Sequence, residues 1–220
     1  MFNIAIDGPA GAGKSSIARA ASERLGFLYV DTGALYRTVA LGALKQGLTP
    51  EDTEEIIALL PELDVALKFV DGEQRVFLNG EDVSEDIRLP EVSGAASTVS
   101  AIPKVREFLF DLQQDLARKN DVLMDGRDIG TVVLPDAQLK IFLTATPEER
   151  ARRRYEQLKE KEGITYEDVL KDLNQRDYND SHRAIAPLKQ AEDAVLLDTT
   201  NMSFEEVVEA ILTLAKERFA

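Results

Sequence analysis

The sequence predicts an α/β protein built around a five-stranded parallel sheet. Two observations support this fold class. Short apolar runs of strand length recur along the 220 residues and are separated by stretches with helical spacing of apolar side chains. The segment from Gly8 to Ser15 fits the pattern G-x-x-x-x-G-K-[ST] and stands between the first apolar run and the first helical stretch. Right-handed crossovers between such strands place helices on both faces, which gives three layers.

The glycine-rich segment has the features of a phosphate-binding loop, or P-loop. Glycines without Cβ let consecutive backbone N–H groups turn inward around a phosphate, and the following helix N-terminus adds partial positive charge. Lys14 can then reach the β- and γ-phosphates of a nucleotide, and a hydroxyl of Ser15 or Ser16 can meet Mg²⁺, with the choice left open. The alternative is a glycine turn that only happens to precede a helix. The predicted ATP-binding residues are Gly8, Pro9, Ala10, Gly11, Ala12, Gly13, Lys14, Ser15 and Ser16.

Composition narrows the class of protein. The net charge of −14 disfavours broad binding to nucleic acid or to anionic membranes, so an anionic substrate needs a local basic pocket. The absence of cysteine excludes disulfides and thiolate chemistry. No leader-like segment and no apolar stretch near the roughly 20 residues of a membrane span is present, so we expect a cytoplasmic protein.

The first half of the chain predicts two strands, three helices and an insertion. Strands over 2–7 and 27–30 precede helices over 15–25 and 34–44, and Thr49 with Pro50 predicts the start of another helix. From 61 to 88 the apolar period becomes alternating, and turn signals stand at Asp71-Gly72 and Asn79-Gly80. We interpret this stretch as an inserted antiparallel ribbon.

The second half predicts three more strands, over 122–124, 139–143 and 194–197, and four helices. One helix opens at Pro103, and a second starts with Thr146 as N-cap and Glu149 closing a capping box. A third opens at 165–168 and reaches Arg176, and Ser203 with Glu206 caps the last. Ligands of parallel sheets bind at the carboxyl ends of the strands, so 8–16, 31–37 and 125–128 should share one rim.

The P-loop alone does not separate a kinase from a nucleotide-dependent switch. No N-K-x-D motif for guanine recognition is present. Arginines beside strand ends and along one helix suit a site that holds two phosphorylated ligands.

Four segments together resemble the bacterial type of the cytidylate kinase family, which are nucleoside monophosphate kinases. They are the P-loop, D-T-G-A-L-Y-R at 31–37, D-G-R-D-I-G-T at 125–131, and the run from Arg176 through S-H-R-A-I-A-P-L at 181–188. The resemblance implies one P-loop kinase domain over 1–220, with a monophosphate-binding insertion at about 34–104 and an arginine-rich helical lid at about 147–180. It also implies transfer of phosphate from ATP, with Mg²⁺, to CMP and dCMP, by a monomer.

The resemblance also implies site residues. Those for CMP are Thr32, Tyr36, Arg37, Ser97, Arg106, Arg127, Asp128, Arg176, Asp180 and Arg183. Those for catalysis are Lys14, Arg127, Arg153 and Arg154. Threonine stands at position 32 where serine is common in the family, and Ser15 and Ser16 stand where glycine and threonine are common. Neither departure removes a chemical function.

Physical chemistry supports the assignment of Asp128. Cytosine presents an N4 amino donor that a carboxylate accepts, whereas uracil would turn O4 toward that carboxylate. Two facing acceptors cost about 1–3 kcal/mol when buried. The alternative is that Asp128 only pairs with Arg127. Arg37 and Arg127 resemble acceptor-phosphate clamps, and their alternative is an ion pair with Asp31 or Asp125.

The lid carries Arg150, Arg152, Arg153 and Arg154, of which Arg152 is rotated away from the others by helical geometry. We expect at least one of the four to be solvated surface charge. The acceptor phosphate is already largely ionised at neutral pH, so no general base is needed and His182 is interpreted as lid or surface structure. The rival hypotheses are a sister kinase that accepts UMP or another small anion, and a switch protein.

Overall fold

The computed structural model describes residues 1–70, 73–159 and 163–219. The strands are β1 (Asn3–Asp7), β2 (Leu28–Asp31), β3 (Val65–Val70), β4 (Glu73–Leu78), β5 (Glu81–Asp82), β6 (Val122–Gly126), β7 (Leu139–Thr144) and β8 (Val195–Asp198). The α-helices are α1 (Lys14–Leu25), α2 (Thr32–Lys45), α3 (Thr53–Leu59), α4 (Pro90–Val99), α5 (Pro103–Lys119), α6 (Pro147–Leu158), α7 (Tyr166–His182) and α8 (Phe204–Phe219). Leu60–Glu62 and Asp86–Arg88 form 3₁₀ turns, and Ile129–Val133 forms a π-helical turn.

The chain divides into two compact units, Met1–Tyr29 with Leu116–Ala220, and Val30–Asp115. The first unit is organised by a five-stranded parallel sheet in the order β2-β6-β1-β7-β8, which confirms the predicted fold class. β1 lies at the centre, where Ile6 is paired with Asp125 on β6 and with Ile141 on β7. The carboxyl ends of β1 and β6 therefore lie side by side, and both carry an aspartate.

The core of the first unit follows from the apolar runs in the sequence. Ile4, Ile6, Leu123 and Ile141 are buried because a parallel sheet is covered on both faces. Helices α1 and α8 pack on each other and contribute small and branched side chains to the same core. Gly26 ends α1 in the left-handed conformation, at φ 70°, as its position after the apolar stripe predicts.

Three predicted helices of the first unit start at an N-cap side chain, and at α6 and α8 it is the predicted residue, Thr146 and Ser203. Thr165 of α7 forms a full capping box with Asp168, and Ser203 of α8 accepts from the Glu206 N–H while the Glu206 carboxylate accepts from the Ser203 N–H. At α6 only half of the predicted box is present. Thr146 accepts from the Glu149 N–H, but the Thr146 N–H donates to Thr200 because the Glu149 carboxylate is held by arginines. Helix α7 also runs past Arg176 to His182.

The second unit packs α2 against α4 and carries a small antiparallel sheet in the order β3-β4-β5. The predicted ribbon is thus present with a third, short strand. Asn79 and Gly80 link β4 to β5 with φ values of 52° and 83°, the geometry of a type I′ turn, as the Asn-Gly signal indicates. The hairpin turn predicted at Asp71-Gly72 lies outside the described residues.

Two features of the second unit differ from the sequence prediction. Thr49 is not an N-cap and Pro50 is not helical: α3 begins at Thr53 after Asp52, whose carboxylate accepts from the N–H and hydroxyl of Thr49. Helix α4 was not predicted. Its buried residues include Val92, Ala95, Ala96 and Val99, and its short, small side chains produce a weak periodic signal.

No helix within the three described ranges is long and apolar enough to cross a membrane. The predicted insertion over 34–104, the lid over 147–180 and the single-domain assignment stay predictions.

Candidate active site

The P-loop leaves the carboxyl end of β1 and runs directly into α1, which begins at Lys14. Gly13 occupies the N-cap position at φ 84°. At Gly8 the loop passes so close to β7 that an added Cβ would lie 2.0 Å from the carbonyl oxygen of Leu143. Glycine is therefore required at position 8 by a close backbone approach as well as by its φ of 155°.

Lys14 is a buried cation at the base of this loop. Its Nζ donates to the carbonyl oxygens of Gly8 and Pro9, both at 2.8 Å. Burial lowers the pKa of Lys14 to about 7, and the nearby Arg127 guanidinium acts in the same direction, while Asp125, Asp180 and Asp7 oppose them. Lys14 and Arg127 therefore lie in one charged cluster of the first unit.

Arg127 follows β6 and is held by a carboxylate of α7. Its Nε donates to Oδ2 of Asp180 at 2.7 Å. Burial opposes the charge, but Asp180 and then Asp125 and Asp177 leave the pKa of Arg127 raised above its ordinary value. Its neighbour Asp128 is buried, and Oδ1 lies 3.4 Å from a guanidinium nitrogen of Arg183. The structure thus assembles four of the predicted site residues around two ion pairs.

Asp125 is a site residue that sequence reasoning did not single out. Its Oδ2 accepts from the hydroxyl of Ser15 at 3.0 Å, and its Oδ1 accepts from the hydroxyl of Tyr29 at 2.9 Å. The available signal was a carboxylate at the carboxyl end of a buried strand. The contact also distinguishes Ser15 from Ser16, because it places the Ser15 hydroxyl beside a carboxylate.

Asp7, at the end of β1, was also missed. Its two carboxylate oxygens accept from the N–H groups of Ile129 and Gly130 at 2.8 and 2.7 Å. Burial raises the pKa of Asp7 to about 6 even though these two donors lower it. Asp7 thereby fixes the turn that follows Arg127 and Asp128.

The arginines of α6 have different surroundings. Arg153 donates to Glu149 and to the side chain and carbonyl of Thr199, and Arg152 donates to Glu149 with an exposed side chain. The hydrogen bond from Arg152, followed by that from Arg153, lowers the pKa of Glu149 to about 2.

Arg154 is exposed on α6 and lies near Arg176 of α7. Burial, and then Arg176, lowers the pKa of Arg154. Arg154 donates to Gln157, and Arg176 pairs with Asp172 at 3.1 Å. A pair of neighbouring guanidinium groups favours an anionic ligand between them. His182 lies at the exposed end of α7 and stacks on Tyr178.

Several predicted CMP ligands lie in the second unit, where they contact residues of the same unit. The Arg106 guanidinium lies 5.2 Å from the ring centroid of Tyr36 and donates to the Ser100 carbonyl, and the Ser100 hydroxyl donates to the carbonyl of Ser97. Arg37 makes the ion pair with Asp31 that was its alternative interpretation, at 2.9 Å. Its Nε is buried without a hydrogen-bond partner. Thr32 is buried in the first turn of α2.

Three features define a P-loop phosphotransferase. They are a parallel sheet with a P-loop after its central strand, a buried lysine in that loop, and arginines at the end of the neighbouring strand. Solved structures with this fold include a gluconokinase from Sinorhizobium meliloti, with a TM-score of 0.51 at 15% identity over 99% of this chain and 94% of that one. A protein from Eubacterium ventriosum has a TM-score of 0.52 at 12% identity over 97% of each chain. At these identities the likeness concerns the fold alone.

The sequence comparisons identify the family. The cytidylate kinase family model matches residues 4–217. A cytidylate kinase of Caldicellulosiruptor bescii is 54% identical over 97% of this chain and 95% of its own length, and one of Clostridium botulinum is 47% identical over 98% of each. The chain belongs to the cytidylate kinase family and is an ATP-dependent nucleoside monophosphate kinase.

Proposed function

We propose that the chain transfers the γ-phosphoryl group of ATP to CMP and to dCMP, which gives ADP with CDP or dCDP. The observation that carries the proposal within the first unit is the cluster of Lys14 and Arg127. A cation in the P-loop and a second cation that follows the neighbouring strand are suited to phosphates of two different ligands. Family membership supports CMP as the acceptor.

We propose how the residues predicted for CMP divide the contacts to this acceptor. Arg37, Arg127 and Arg176 bind its phosphate, Asp180 and Arg183 its ribose, and the base is recognised by three side chains. Those three are Ser97, Arg106 and Asp128. The proposed ATP ligands remain the loop residues from Gly8 to Ser16.

The proposed mechanism relies on alignment and charge. The acceptor phosphate oxygen is already ionised, so no side chain has to remove a proton. Lys14, Arg127, Arg153 and Arg154 are proposed to neutralise the transferring group, and water is excluded to prevent hydrolysis of ATP.

Mg²⁺ is proposed to enter with ATP, and the Ser15 hydroxyl and Asp125 carboxylate fit it. Both are hard oxygen donors, and they are 3.0 Å apart beside the loop. Within the described ranges, no group of three or more histidine, cysteine, aspartate or glutamate side chains that could hold a metal ion is present. When bound, Mg²⁺ neutralises charge on the phosphates.

The acceptor assignment is tested by a panel of monophosphates assayed for ADP formation. We expect CMP and dCMP to be preferred over UMP, and Asp128→Asn to reduce the ratio of kcat/KM for CMP over UMP by about tenfold to a hundredfold, since an amide offers both a donor and an acceptor. Asp136→Asn, which changes an exposed carboxylate, is the matched control. Faster turnover of UMP than CMP would overturn the assignment. ADP formation that does not depend on any acceptor would favour a switch.

ATP binding is expected to take up a proton. In the free protein the pKa of Lys14 is lowered to about 7 by burial and Arg127, and polyphosphate beside Nζ would raise it again. Above pH 7 the free lysine is mostly neutral, so the affinity for ATP should fall as pH rises, by up to about tenfold per pH unit. Calorimetry at about pH 8 in buffers of different ionisation enthalpy should report uptake of close to one proton. An enthalpy that is the same in all buffers would contradict this.

We infer a monomer from the family resemblance and a cytoplasmic location from the sequence composition, and both remain predictions. Gel filtration with light scattering tests the first.

A further inference from the structure

Arg150 is a buried cation that the transfer mechanism does not use. It lies in the first turn of α6 with 4% of its surface exposed. Nε donates to the carbonyl of Ala145, which follows β7, and a terminal nitrogen donates to the carbonyl of Ala10 at 2.7 Å. The same nitrogen lies 2.7 Å from Oδ2 of Asp177. The N–H groups of Arg150 are directed at these three acceptors. Through the carbonyl of Ala10, Arg150 binds the P-loop to α6.

Asp177 of α7 completes this contact. Its Oδ1 accepts from the backbone N–H of Ala10 at 3.0 Å, while its Oδ2 pairs with Arg150. Both backbone groups of Ala10 are therefore bonded to side chains of α6 and α7. Leu173, one turn earlier on α7, packs against Ala10. Its side chain would lie 3.2 Å from a Cβ added at Gly11.

Helix α7 thus carries two carboxylates on one face, because residues three apart in a helix are neighbours. Asp177 bonds the P-loop, and Asp180 bonds Arg127 at the end of β6. One rigid helix contacts both the loop of the donor phosphates and the arginine assigned to the acceptor phosphate.

We propose that Asp177, with Arg150, is a positioning residue that sets the P-loop at a fixed place relative to Arg127 through helix α7. The proposal rests on the proposed function of Lys14 and Arg127. Asp177 touches neither substrate and acts through Ala10, so its removal should disturb the alignment of donor and acceptor more than the binding of either. A displacement of about 1 Å between reacting groups is sufficient to lower a rate about a hundredfold.

The test compares Asp177→Asn with Glu167→Gln, an exposed carboxylate on the same helix. The asparagine retains an acceptor for the Ala10 N–H but loses the charge that pairs with Arg150. We expect kcat for CMP phosphorylation to fall about 10- to 100-fold. The Kd of ATP, measured by calorimetry without CMP, and the KM of CMP should stay within about threefold of wild type. Glu167→Gln should match wild type in all three.

The pattern of losses separates the possible roles. A kcat within about threefold of wild type, or a fall in kcat matched by an equal loss of ATP affinity, overturns the positioning role. If Asp177→Asn does not fold, the double variant Arg150→Met/Asp177→Asn removes the unpaired buried charge and must show the same split between kcat and binding. Wild-type protein without CMP kinase activity would instead refute the proposed function.

Discussion

Replacing Lys14 with methionine is expected to lower kcat for CMP phosphorylation by about 10³-fold. The ammonium group donates to two loop carbonyls in the structure and lies where the phosphates of ATP are proposed to bind. Methionine keeps an unbranched stem of similar length and removes only the charge and its donors. The expected loss is in kcat, because charge on the transferring group is greatest in the transition state.

The fold should survive this substitution. Removing a buried ammonium group removes the cost of its desolvation. This gain offsets the two hydrogen bonds that the carbonyl oxygens of Gly8 and Pro9 lose, so the melting temperature should stay close to that of wild type. Lys216→Met, at an exposed position of α8, is the matched control. A Lys14→Met enzyme that retains kcat within about tenfold of wild type would contradict the catalytic role. Loss of proton uptake on ATP binding in this variant would link the two predictions for Lys14.

The parts of the fold that depend on local signals could be predicted from the sequence. The pattern that contains Gly8, Gly13 and Lys14 predicts a phosphate-binding loop when it stands between a strand and a helix. The structure has a loop of this kind at that place. The parallel sheet followed from apolar runs of strand length. Asn79 and Gly80 predicted their turn because few other residues adopt positive φ at low cost.

Residues whose roles depend on tertiary contacts could not be predicted in this way. Asp7 and Asp125 are single carboxylates at strand ends, and their partners Gly130 and Ser15 lie more than 100 residues away along the chain. Arg150 was grouped with the other arginines of α6 because spacing cannot separate an arginine that packs under the P-loop from one that faces solvent. Strand register and helix packing decide these contacts.

Helix starts show the same division. Thr165 and Asp168 lie in the stretch predicted to open α7, and they pair there because a capping box is local. Glu149 is drawn away from its predicted box by two arginines of its own helix, and Thr49 is bonded by Asp52 in a turn before α3. Several local hydrogen bonds compete at each of these positions, and the sequence pattern alone does not rank them.

Asp125→Asn is expected to raise the Mg²⁺ concentration for half-maximal activity about 10- to 100-fold. The Asp125 carboxylate is bonded to the hydroxyls of Ser15 and Tyr29, so it is fixed beside the loop before any ligand arrives. Asparagine can still accept from Tyr29 and can donate to Ser15, which preserves the geometry and removes the negative charge. The measurement is a Mg²⁺ titration of CMP phosphorylation at saturating ATP.

Ser15→Ala should shift the same titration in the same direction, because it removes the hydroxyl that faces Asp125. Asp136→Asn is again the control, since it changes an exposed carboxylate by the same single charge and should leave the titration unchanged. If Asp125→Asn lowered activity without altering the Mg²⁺ requirement, the carboxylate would act through Lys14, whose pKa it raises, rather than through the metal. The pH dependence of ATP binding would then change in this variant, because a Lys14 that lacks this neighbour is neutral at lower pH.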